Sequence, residues 1–172
     1  MTALTYTDVG RTAPGSELPS GYRHVLRRVR AGSGASAFSS VVETMREWGI
    51  HRGAGLRVRA DAPPAVGVRF ATGLGLGPVR VWVPCEVVWV REEPRFYGYG
   101  FGTLPGHPEI GEEAFSVAWG DDDAVWFDVR AFSRPASWFV RLGRPVADLL
   151  QDRVSDRYAA AAVPRPGAPI KE

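Results

Sequence analysis

Residues 95–103 read Arg-Phe-Tyr-Gly-Tyr-Gly-Phe-Gly-Thr, and their alternation decides the fold. In an extended strand, Tyr97, Tyr99, Phe101 and Thr103 share one face and Gly98, Gly100 and Gly102 share the other. The aromatic face offers packing area with two hydroxyls. The glycine face lets the sheet bend, or lets another segment approach the backbone closely. The local pattern is silent on which of the two faces points inward.

Working outward, the same period of two recurs on both sides. Leu56 and Val58 open a strand that Pro63-Pro64 ends, and strands follow over residues 66–74 and 79–92 around the glycine-rich turn Gly73 to Pro78. Val79, Val81, Val83, Cys85, Val87 and Trp89 fall on one face, while Pro84 calls for an edge or a bulge. Residues 112–119 and 124–133 form the last pair around Asp121-Asp122-Asp123. Ahead of them, residues 22–30 read as a first strand. Phe38, Val41, Val42, Met45 and Trp48 recur at helical spacing over about 37–48, with Ser40 and Glu43 matching a capping box and Gly49 a stop. After Ser133-Arg134-Pro135, an apolar stripe from Trp138 and Leu142 to Tyr158 predicts a long helix, interrupted near Gly143 and Pro145.

The order is strand, helix, a run of about five antiparallel strands and a long terminal helix. A sheet of that length needs a partner for its concave face, and the last helix is the long candidate. The predicted fold is therefore α+β, a curved antiparallel sheet wrapped around a C-terminal helix. One domain covers residues 1–162, with a proline-rich tail over 163–172. This order is similar to the helix-grip architecture of START-like and Bet v 1-like proteins, and the similarity implies an apolar cavity between sheet and helix.

Thr103-Leu-Pro-Gly-His-Pro-Glu-Ile-Gly-Glu-Glu-Ala-Phe115 and Ala131-Phe-Ser-Arg-Pro135 resemble signature stretches of a bacterial and plant family of domains of unknown function. Tyr6-Thr-Asp-Val-Gly10 and His51-Arg-Gly-Ala-Gly55 resemble it as well, so the resemblance runs from about Tyr6 to Tyr158. It implies a family label and no reaction.

The totals narrow the function classes. Of 172 residues, 45% are hydrophobic, enough for a substantial core. The formal net charge is +2, Lys171 is the sole lysine, and the arginines alternate with acids. A nucleic-acid binder would concentrate its charge. Arg23, Arg27, Arg28 and Arg30 form a local cluster without a stacking platform, which suits solvated strand arginines. One cysteine, no basic-then-apolar start and no apolar run of membrane length suggest a cytoplasmic protein without a transmembrane segment.

The turn 104–113 gathers His107, Glu109, Glu112 and Glu113. A histidine beside carboxylates is a candidate acid–base pair, with His107 and Glu109 or Glu113 as catalytic residues. A rigid hairpin whose glutamates hold backbone amides or arginines explains the same residues. No metal is expected, since His107 and Glu109 lack zinc spacing and His24 and His51 are far away in sequence. Nor is a cofactor: Gly73-Leu-Gly-Leu-Gly77 is followed by Pro78 and a strand, leaving no helix N-terminus for a pyrophosphate. Cys85 reads as an inert core thiol.

The leading expectation is binding of a small apolar or amphipathic molecule in the cavity. Tyr97, Tyr99 and Phe101 form its wall and Trp138 and Leu142 its lid, while Arg130 and Arg134 orient a polar head. An acid–base enzyme using the same cavity, and a structural or partner-binding domain, are the alternatives. Neither the ligand nor the oligomeric state can be read from the residues.

Overall fold

The computed structural model describes residues 3–74, 81–136 and 156–163. Seven antiparallel strands make one curved sheet: β1 (Arg23–Ser33), β2 (Arg57–Ala60), β3 (Arg69–Leu74), β4 (Val81–Glu93), β5 (Phe96–Thr103), β6 (Glu109–Trp119) and β7 (Ala124–Pro135). Their spatial order is β1-β7-β6-β5-β4-β3-β2. Successive hairpins build β2 through β7, and the first strand returns to close on the last. Six strands thus follow the helical region, one for each segment read from the alternation.

Two helices interrupt the chain between β1 and β2, α1 (Gly34–Arg46) and α2 (Gly49–Gly53). The expected 37–48 helix starts three residues earlier. Its N-cap is Ser33, whose side chain makes no capping bond, so Ser40 and Glu43 sit inside the helix rather than at its start. Trp48 ends it in a left-handed conformation, φ 59°. That reversal turns the Trp48 ring and the following His51 onto the concave face of the sheet, where both are buried.

The aromatic face of β5 is the inner one. Tyr97, Tyr99 and Phe101 join Phe115, Val117, Phe127, Val129, Val41, Met45, Trp48 and Ile50 in a single core. Its rings meet edge-on or tilted, as for Trp48 and Tyr99 at 5.7 Å and Phe101 and Phe115 at 5.5 Å. The C-terminal region enters the same core. Residues 156–162 are helical, and Tyr158 lies 4.8 Å from Phe115 and 5.5 Å from His51. Asp156 pairs with Arg27 at 3.3 Å. The remainder of the expected terminal helix, with Trp138 and Leu142, lies outside the described residues.

Strand β4 departs from simple alternation. A bulge between Val87 and Trp89 leaves Val83, Cys85 and Val87 inside but sends Trp89 to the outer face, opposite Gly100. Pro84 stands one residue beyond the last β4–β5 pair, Cys85 with Thr103, where a missing N–H interrupts no β4–β5 rung.

The outer, glycine face is not solvated. A Cβ on Gly100 would collide with the Trp89 indole nitrogen, and one on Gly102 with the Tyr6 hydroxyl. The segment before β1 therefore lies against the backbone of β5, and the glycines make that approach possible. We expect Gly100→Ala to lower stability by about 1–3 kcal/mol, the usual range for overpacking, measured by urea unfolding. An unchanged midpoint would mean that Trp89 simply swings aside.

Candidate functional site: an acidic cavity beneath the 104–109 turn

Adjacent glutamates on β6 point to opposite faces of the sheet, and they have opposite surroundings. Glu112 faces outward, paired across the strands with Gly102 and Phe132. Although 2% exposed, its carboxylate is saturated. Oε2 accepts from the Tyr6 hydroxyl at 2.7 Å and the Gly10 N–H at 2.7 Å; Oε1 accepts from the Thr12 N–H at 2.9 Å and the Thr12 hydroxyl. The Trp89 Nε1–H donates to Thr12 Oγ1 at 2.9 Å, which ties the bulge to the same knot. Burial and the negative Glu112 push the Tyr6 phenol well above its ordinary value. Glu112 is thus a structural anchor for the N-terminal segment, and it explains why Tyr6-Thr-Asp-Val-Gly10 and Gly111-Glu-Glu113 belong to one pattern.

Glu113 faces inward, between Phe101 and Ala131. It makes no hydrogen bond or ion pair with any described residue. Burial, with the nearby negative Glu109, pushes its carboxyl up to about 8, so the acid is largely protonated at neutral pH. It borders a partly open cavity of about 60 Å³, lined also by Cys85, Phe101, Thr103, His107, Glu109 and Ala131. Burial and the Glu113 charge hold the Cys85 thiol above its ordinary value, which keeps it protonated and unreactive.

The turn that closes the cavity is rigid. Gly106 has φ 97°, a left-handed position that a side chain would strain. The His107 N–H donates to the Leu104 carbonyl at 3.0 Å, and the Thr103 hydroxyl accepts from the Gly111 N–H at 3.0 Å. The Glu109 N–H donates to His107 Nδ1 at 3.0 Å. His107 Nδ1 also lies 3.1 Å from the Glu109 carbonyl oxygen, so the Glu109 backbone fixes the ring in either tautomer. Burial pulls the imidazole down to about 4. No described carboxylate bonds the ring. His107 at neutral pH is consequently a neutral ring held by the turn, and Glu113 is the group that can exchange a proton there.

The other residues singled out from the sequence are scattered. Tyr97 and Tyr99 face inward, but Trp48 and its neighbours fill the space before them; among the expected wall residues, Phe101 borders the cavity. Arg130 and Arg134 stand on the outer face, paired with Ala114 and Ile110. Arg130 donates to the Ser16 carbonyl and Arg134 lies 5.1 Å from the Tyr22 ring, so both are directed away from the cavity. Trp138 and Leu142 lie outside the described residues. The Arg23 to Arg30 cluster is partly paired, with Arg28 bidentate on Asp128 at 2.7 and 3.0 Å.

His51 is a feature that the sequence did not single out beyond its motif. It is fully buried among Trp48, Phe70, Phe101, Phe115 and Tyr158, its ring nitrogens meet no hydrogen-bonding partner among the described residues, and burial pushes it down to about 3. A larger hollow of about 400 Å³ near Arg59, Arg69 and Pro84 is an open surface depression. Among the described residues, no cluster of histidine, cysteine or carboxylate side chains has a metal-binding arrangement, and no helix is long and apolar enough to cross a membrane.

The family described as a domain of unknown function, DUF1990, matches residues 5–161. A UPF0548 protein of Deinococcus radiodurans is 32% identical over 94% of this chain and 86% of its own length. A UPF0548 protein of Arabidopsis thaliana is 32% identical over 79% of this chain and 69% of its own. Among solved structures, a hypothetical protein of Helicobacter pylori aligns with TM-score 0.55 at 15% identity, over 94% of this chain and 97% of that one. Ara h 8.0201 aligns with TM-score 0.50 at 12% identity, over 82% and 98%. These likenesses give the fold, a Bet v 1-like helix grip.

Proposed function

The chain belongs to the DUF1990 family, and from that premise we propose that it binds a small amphipathic molecule between the curved sheet and the C-terminal segment, with the polar end at Glu113. One observation carries the reading: an inward carboxyl without a partner among the described residues borders a partly open cavity. Holding such a group inside the fold is unfavourable unless something else uses it. A purely structural glutamate would be satisfied, as Glu112 next to it is. Apolar contact with Phe101, Cys85 and Ala131 supplies affinity, while Glu113 and the neutral His107 ring set orientation.

Native mass spectrometry of freshly purified protein tests this directly. The expected result is a low-mass organic adduct that organic extraction releases and identifies. A bare chain mass in every preparation, with no stabilisation by any amphipathic compound tried, overturns the reading.

A second reading, proton transfer on the bound molecule, is favoured by the elevated Glu113 carboxyl, since a group titrating near working pH serves best as acid or base. In that version the acid–base residue is Glu113, with His107 as its neutral neighbour. It requires that Glu113→Gln keeps the molecule bound while ending its conversion.

A further inference from the structure

The cavity is acidic within a basic chain, and that contrast narrows its ligand. The sequence carries 21 lysines and arginines against 19 acids. Yet two carboxyl side chains face this cavity, Glu109 and Glu113, and no arginine or lysine lines it among the described residues. Its one other titratable nitrogen, on His107, is neutral for the reason given above. Glu112 is accounted for by four donors and Glu109 has interactions of its own. Among the described residues Glu113 has neither, and it stands half-buried beside Phe101 and Cys85.

Building on the ligand-binding reading, we propose that the molecule taken here carries a protonated amine, a primary or secondary ammonium on a small apolar body, with Glu113 as its counter-ion. An anion would face two carboxyls and no compensating cation among the described residues. A neutral hydroxyl could bond Glu113 but would leave the negative potential of the lining unused. An ammonium uses both: it supplies the charge partner that the described residues do not offer, and the ring of Phe101 adds cation–π attraction. With the cation bound, Glu113 ionises, and the desolvation that now keeps it protonated is offset by direct pairing. Size is consistent, because a water molecule needs roughly 10–15 Å³ of such space and about 60 Å³ admits an ammonium with a few carbons. A bare metal ion suits the site less, since the lining offers no metal-binding arrangement among the described residues.

The test uses the full chain and three probes of one shape: n-butylamine, n-butanol and butanoate, titrated at neutral pH and followed by amide chemical shifts. The expected result is that butylamine binds at least tenfold more tightly than butanol, that butanoate does not bind, and that shifts centre on Phe101, Glu113 and Ala131. Glu113→Gln should remove the preference for the amine, and the alcohol provides the internal measure that the cavity is intact. Butanol binding as tightly as butylamine, or a preference that survives in Glu113→Gln, overturns the amine assignment and leaves the ligand-binding reading standing. Failure of all three probes to bind overturns both.

Discussion

Glu112→Ala is expected to release the N-terminal segment and to lower stability by roughly 3–5 kcal/mol, the range for breaking a buried charged group's partnership. The physical reason is the number of donors involved. Tyr6, Gly10 and Thr12 all donate to this one carboxylate, and Trp89 donates to Thr12 behind it. Alanine would leave those donors buried without an acceptor, each at about 1–3 kcal/mol. The loss has a ceiling, because the segment can detach and recover water for its donors. Urea unfolding should therefore show the loss, and amide exchange should show selectively lost protection over residues 5–16. Glu112→Gln is a sharper variant. Each carboxylate oxygen serves two donors, so an amide NH₂ in either position faces two of them, and we expect a loss of about 2–3 kcal/mol despite the unchanged shape. A Gln variant as stable as the parent would show that the segment is held by packing of Tyr6 and Tyr22 on Phe132 instead.

The neighbouring substitution has the opposite sign. Glu113→Gln is expected to stabilise the protein at alkaline pH, because its carboxyl is pushed from 4.5 to about 8 in the fold. Between those values the unfolded chain has released its proton and the folded chain keeps it, so stability falls as pH rises across the interval. At 1.36 kcal/mol per unit, the loss amounts to about 4–5 kcal/mol at full ionisation. Gln carries no such dependence. His51 and His107 act the other way: burial lowers them from 6.5 to about 3 and about 4, so their stability is present above pH 6.5 and is lost as pH falls. The difference between parent and variant isolates Glu113. Unfolding free energies measured from pH 5 to 9 should separate steadily, with the variant ahead at pH 9. Parallel curves would mean that Glu113 is ionised at neutral pH and already paired, and the cavity argument would lose its basis.

Much of this protein was legible in the chain itself. The alternation of 95–103, the hairpin turns and the helical spacing after Phe38 follow from local geometry, which is why strands, helices and their order could be read without coordinates. Parity along Glu113-Ala-Phe115-Ser-Val117 places Glu113 on the same face as two core residues, so its inward aim was available from the pattern too. Other features were decided by tertiary structure. Either face of β5 could have packed inward; Trp48 and His51 chose the aromatic one by turning over it. The bulge at Val88 moved Trp89 across the sheet, which no count of alternating residues registers. Glu112 and its donors are about a hundred residues apart, and Arg130 and Arg134 took the outer face through β6–β7 register. Period and propensity act over a few residues and therefore show in the sequence. Which face is covered, and which buried carboxyl finds a partner, depend on strands brought together from distant parts of the chain.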